Sequence, residues 1–141
     1  MKVEASPLSG KILKKYKTKL GELYFFENFV VSEIYEGSHV DIKSAQEVFK
    51  IIDSVYGENT PFGYISNRVN KFSISLLDSK KINSEMSSNL SYYCSVTYNH
   101  IDKMNADLEK KFCPRPFMNF SDLQSCVNWI EEALNKNKIT R

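Results

Sequence analysis

The stretch that decides the fold class runs from Phe29 to Ile65. It opens with Phe29-Val30-Val31-Ser32-Glu33-Ile34-Tyr35, continues through Asp41 and the spaced apolar residues Ile42, Ala45, Val48, Phe49, Ile52 and Val55 to Gly57, and ends with Phe62-Gly63-Tyr64-Ile65. The outer segments are short, apolar and rich in β-branched and aromatic side chains, as buried strands are. Between them apolar residues recur every three or four positions. Asp41 can cap the free amides of a first helical turn and Gly57 supplies the stop. Strand, helix and strand in this order form a right-handed crossover between parallel strands.

Working outward, Leu20-Gly21-Glu22-Leu23-Tyr24-Phe25-Phe26 precedes Glu27-Asn28, and Asn28 suits a tight turn, so these residues add an antiparallel hairpin at the N-terminal side. A short further strand fits Tyr16 to Leu20. On the other side, Ser73 to Asn89 suggests a loosely amphipathic helix, and Tyr92-Tyr93-Cys94-Ser95-Val96-Thr97-Tyr98 is a strand suited to the sheet interior. Ile101, Met104, Leu108 and Phe112 then form one apolar helical stripe opposite Asp102, Lys103, Asp107 and Lys110, closed by Pro114 and Pro116. Phe117-Met118-Asn119-Phe120 is a last short strand. Ser121 with Gln124 reads as a capping box for a helix carrying Leu123, Val127, Ile130 and Leu134. The expectation is an α/β domain over residues 13–141 with a mostly parallel sheet. Residues 1–12, with breakers at Pro7 and Gly10 and no period, read as a flexible basic tail whose removal would leave stability nearly unchanged.

The 141 residues are 42% apolar, enough for one real core, and carry a net charge of +2. That charge is unevenly placed: residues 1–22 hold six Lys against Glu4 and Glu22, so the remaining body is slightly acidic. A dedicated nucleic-acid face would need a clustered basic stripe, and none is present. No apolar run is long enough to cross a bilayer and no signal-peptide core is visible, so a cytoplasmic setting is the expectation. The three cysteines, Cys94, Cys113 and Cys126, have neither metal-ligand spacing nor an even number, which suggests reduced thiols, no metal and no cofactor.

The phosphate-cradling, nucleophile-elbow and zinc-helix motifs are all absent, which points away from an enzyme. His39 and His100 have no sequence partner for acid–base work. The most suggestive polar run follows Ile65: Ser66, Asn67, Arg68 and Asn70 leave the carboxyl end of a parallel strand, where open α/β sheets place ligands. Arg68 could grip a partner's carboxylate or phosphate in a bidentate fork, or it could pair internally with an acid of this chain.

With Phe25-Phe26-Glu27-Asn28-Phe29-Val30-Val31-Ser32-Glu33 near the start and Gly63-Tyr64-Ile65-Ser66-Asn67-Arg68 before the second helix, residues 20–136 resemble the SpoIIAA-like or STAS superfamily, in particular its small bacterial members. The resemblance implies a mixed sheet of four or five strands with about four helices mainly on one side. It also implies a non-enzymatic role in protein–protein regulation. The antagonists of that superfamily carry an Asp-Ser-[Ser/Thr]-Gly phosphoacceptor. This chain departs from it, holding Ser66-Asn67-Arg68 and then Ser73 or Ser75 with no following Gly. The functional expectation is a module that binds a protein partner, a second copy of itself being one form of that partner. Ser66, Asn67, Arg68 and Asn70 are its recognition candidates, and Ser73 and Ser75 its candidate phosphoacceptors. The alternative is a carrier of a small apolar ligand or lipid, since Phe and Tyr are abundant.

Overall fold

The computed structural model describes residues 1–86 and 88–139. Its main sheet has six strands: β1 (Lys14–Lys17), β2 (Gly21–Phe25), β3 (Phe29–Ile34), β5 (Phe62–Asn67), β7 (Leu90–Val96) and β8 (Phe117–Phe120). They lie in the order β1-β2-β3-β5-β7-β8. The first three pair antiparallel and the rest parallel. The expected four or five strands become six because the short run around Tyr16 does pair, with Tyr16 opposite Leu23. A separate two-stranded parallel ladder joins β4 (His39–Val40) to β6 (Ser73–Ile74), which the sequence did not suggest.

Among the described residues, four α-helices complete the fold: α1 (Ile42–Tyr56), α2 (Leu76–Glu85), α3 (His100–Lys110) and α4 (Leu123–Ile139). The α1 cap is Asp41, whose carboxylate accepts the Ser44 N–H at 2.9 Å while the Ser44 hydroxyl accepts the Asp41 N–H. At α4 the cap is Asp122 rather than Ser121. Its carboxylate accepts the Ser125 N–H at 2.8 Å and the Ser125 hydroxyl at 2.9 Å. A carboxylate that accepts the third-residue amide is a charge-assisted cap.

Crossovers of one hand put α1, α2 and α3 on one face of the sheet. There Val48, Ile52, Tyr56 and Ala106 meet Phe25, Val30, Phe62, Tyr64 and Tyr93. The last helix turns to the opposite face, where Leu123, Val127, Ile130 and Leu134 pack on Ile65, Cys94 and Val96. Gly63 permits the close approach, since a Cβ there would lie 2.6 Å from the Ile130 Cγ2 methyl. Three helices on one face and one on the other agree with the expectation that they lie mainly on one side.

One helix about 10 Å wide covers two or three strands spaced about 4.8 Å, so α4 alone leaves β2 and β3 uncovered. Residues 3–11 fill that gap. Two short 3₁₀ turns, Val3–Ala5 and Pro7–Lys11, bring Val3 and Leu8 into the core beside Tyr24 and Phe26. The expected solvated tail is therefore a packed strap, and its expected indifference to stability is withdrawn, because two buried aliphatic side chains outweigh the breakers around them. The cysteines differ as well. Cys94 on β7 and Cys126 on α4 are fully buried and joined as a disulfide, with Cα atoms 6.1 Å apart, while Cys113 is free. Spacing along the chain could not reveal this pairing across a helix–sheet interface.

Candidate functional site

Alternation along β5 sends neighbouring side chains to opposite faces, so the polar run after Ile65 is divided rather than gathered. Ser66 and Arg68 point to the α1–α3 side and Asn67 to the α4 side. Arg68 is buried, and Glu109 of α3 meets it in a bidentate fork: Nη1 donates to Oε2 at 2.5 Å and Nη2 to Oε1 at 2.7 Å. Its Nε donates to Ser66 Oγ at 3.2 Å, and the guanidinium carbon lies 5.7 Å from the Phe72 ring centre. Burial acts to lower the Arg68 pKa, but the Glu109 hydrogen bonds and charge, with Tyr93 beside them, raise it overall. The guanidinium is thus committed inside the protein. Tyr93 stands against the pair, stacked between Tyr64 and Phe117 at 5.1 and 4.8 Å. Burial pushes the hydroxyl pKa values of Tyr64 and Tyr93 up.

Asn70 is tied to the end of β3, donating to the Ile34 carbonyl at 3.0 Å. Asn67 donates to Glu33 Oε2 at 2.8 Å on the opposite face. Ser73 is exposed on β6, its hydroxyl 2.6 Å from His39 Nδ1 across the small ladder. Ser75 is the cap of α2 and accepts the Asp78 N–H. The six candidates therefore do not form one surface. Ser73 and Arg68 do line one groove.

That groove, about 190 Å³, runs between the start of α2 and α3, with Arg68, Phe72, Ile74, Leu76, Asn105 and Leu108 among its walls. Its surroundings are apolar where solvent should favour polar groups. Asn99 caps α3 through the Asp102 N–H, and the residues that α3 buries are Ala106 and Glu109. The stripe expected to pack, Ile101, Met104, Leu108 and Phe112, is turned outward, with Ile101 70% exposed. Glu109 is drawn inward by Arg68, which rotates the stripe away from the sheet. Leu76 and Leu77 add to the exposed apolar surface, Leu77 at 96%. A second cavity of about 70 Å³ lies under α2, lined by Val48, Phe49, Tyr64, Ile82 and Met86.

Two functional positions were missed in the sequence. Glu109 carried no signal, since an acid on the polar side of a helix is ordinary. Glu33 carried one: it is a carboxylate inside the apolar strand Phe29–Ile34 and is buried. Among the described residues no helix is long and apolar enough to cross a membrane.

No family model matches the sequence, and no curated protein matches it. Among solved structures the chain is similar to the crystal structure of an uncharacterised DUF3478-family protein from Shewanella loihica PV-4 with a SpoIIAA-like fold. The TM-score is 0.55 and the identity 11%, over 83% of this chain and 90% of that one. Element order, mostly parallel sheet and this likeness agree: the chain has a SpoIIAA-like fold.

Proposed function

We propose that this STAS-like domain is a non-enzymatic interaction module whose α2–α3 groove receives an apolar segment of a partner protein. The observation that supports it is the outward stripe Ile101, Met104, Leu108 and Phe112, with Leu76 and Leu108 lining one groove. A contiguous exposed apolar patch rimmed by polar residues is the ordinary mark of an interaction site. In this reading Arg68 and Ser66 are positioning residues that hold α3 in place. Ser73, exposed at the groove wall, is the candidate phosphoacceptor, and a phosphate there would place negative charge where an apolar segment docks.

The test compares the wild-type chain with Ile101→Glu and Leu108→Glu in cross-linking and pull-down from the native cell. Both positions are exposed, so melting should hold within about 2 °C while recovery of the partner falls at least ten-fold. Unchanged recovery would refute the reading, and loss of self-association in sedimentation would identify the partner as a second copy. A cytoplasmic setting belongs to the same proposal. It is tested by cell fractionation: the chain should be recovered in the cytosolic fraction, and recovery in an exported fraction would refute it.

The small cavity under α2 favours a second reading, a carrier of a small apolar ligand. At about 70 Å³ it is roughly half the ~150 Å³ of a dry cavity that admits benzene, so it suits a few heavy atoms rather than a lipid. A ligand retained in native mass spectrometry would decide for it.

A further inference from the structure

On the face away from the groove, three polar side chains converge on backbone atoms instead of on one another's charges. Glu33 of β3 is buried, and among the described residues no Lys, Arg or His forms an ion pair with it. Its Oε2 accepts the Val3 N–H at 2.8 Å and the Asn67 Nδ2 at 2.8 Å. The second hydrogen of that amide goes to the Met1 carbonyl at 2.9 Å. The Tyr98 hydroxyl donates to Asn67 Oδ1 at 2.6 Å and lies 3.3 Å from the same carbonyl. Burial, and after it the Glu33 and Asp122 charges, push the Tyr98 hydroxyl up to about 12, so it remains a donor across the physiological range.

These groups sit at the carboxyl ends of β3, β5 and β7, where parallel sheets hold ligands. A buried carboxylate without a cation is costly to keep in an apolar strand, and burying a leucine there would serve stability better. What the cluster reads is one carbonyl, one N–H two residues later, and the side chain that follows them inward. Lys2 between them is extended, with φ −69° and ψ 149°. The Met1 and Lys2 side chains are exposed, whereas Val3 is fully buried in the core. Recognition is therefore of backbone plus one small aliphatic side chain.

We propose that Glu33, Asn67 and Tyr98 form a peptide-binding site, at present filled by the strap of residues 1–11, and that a partner's segment with extended backbone and an aliphatic third residue competes with the strap for it. The strap is then an autoinhibitory contact. It holds few side chains in the core, chiefly Val3 and Leu8, so it can leave without unfolding the sheet.

The experiment uses the full chain. A labelled peptide matching residues 1–11 is titrated into wild type, into Val3→Asp, which unseats the strap, and into Val3→Asp with Glu33→Gln, followed by fluorescence anisotropy. Val3→Asp should bind the peptide at least ten-fold more tightly than wild type, and adding Glu33→Gln should weaken that binding by roughly ten-fold, the scale of a lost hydrogen bond to a charged group. A peptide carrying the same Val3→Asp change should not bind. If Val3→Asp with circular dichroism like that of wild type fails to bind the peptide, the proposal is overturned. Should that variant not fold, Val3→Ala takes its place in the same assay, with the same refuting result. In wild type, hydrogen exchange gives an independent reading: the Val3 amide should exchange well before those of β5. Exchange of the two together, at the rate of global unfolding, would overturn the displaceable strap.

Discussion

Replacing Arg68 by Met removes the charge that balances Glu109 while keeping an apolar stem of similar reach. The Arg68 side chain is 4% exposed and that of Glu109 11%, so water cannot readily take over the lost partner. A buried pair broken on one side costs about 3 to 5 kcal/mol, because the surviving charge stays desolvated. At about 3 °C per kcal/mol for a domain of this size, melting should fall by about 10 to 15 °C. The double variant Arg68→Met with Glu109→Leu removes both charges and should return to within about 1 kcal/mol of wild type, since apolar replacement of a whole buried pair is often neutral. Urea titration at 25 °C followed by circular dichroism measures all four members of the cycle. Repeating it at 0.05 and 0.5 M salt should change the Arg68→Met loss little, because buried charges are weakly screened. A loss below about 1 kcal/mol, or a double variant less stable than either single, would refute the account of Arg68 as an internally committed group.

Two further outcomes are expected. The Cys94–Cys126 bond closes a loop of sequence separation 32, so its removal as Cys94→Ala with Cys126→Ala should lower stability by about 3 to 4 kcal/mol, and the native bond should resist reductant until urea exposes it; both are read by denaturation with and without reductant. Stability should also fall above pH 10: Tyr24, Tyr56, Tyr64 and Tyr93 have hydroxyl pKa values raised by burial, so the unfolded chain releases protons that the folded one keeps, and the stability present below pH 10 is lost as pH rises toward the folded values. Ionisation of these four hydroxyls, followed residue by residue by NMR, should appear only with unfolding, and its appearance near pH 10 in the folded protein would refute the reading.

What could be read from the sequence was local. Asp41, the spacing Ala45, Val48 and Ile52, and Gly57 define α1 because capping and helical period act within a few residues, and the structure places α1 at Ile42–Tyr56. The strands Phe29–Ile34 and Phe117–Phe120 follow in the same way from short apolar runs bounded by turns. Which side of a helix faces inward is not local. The stripe Ile101, Met104, Leu108 and Phe112 has the period of a packed face, yet Glu109 turns inward because Arg68, 41 residues earlier, supplies a buried charge for it. The strap is decided in the same manner: residues 3–11 have no period of their own, and they pack because α4 is too narrow to cover six strands. Likewise Cys94 and Cys126 meet only once α4 lies across β7. Periodicity reports what a segment could bury, whereas the geometry of the assembled sheet decides which surface is left to cover and which charge is left to pair.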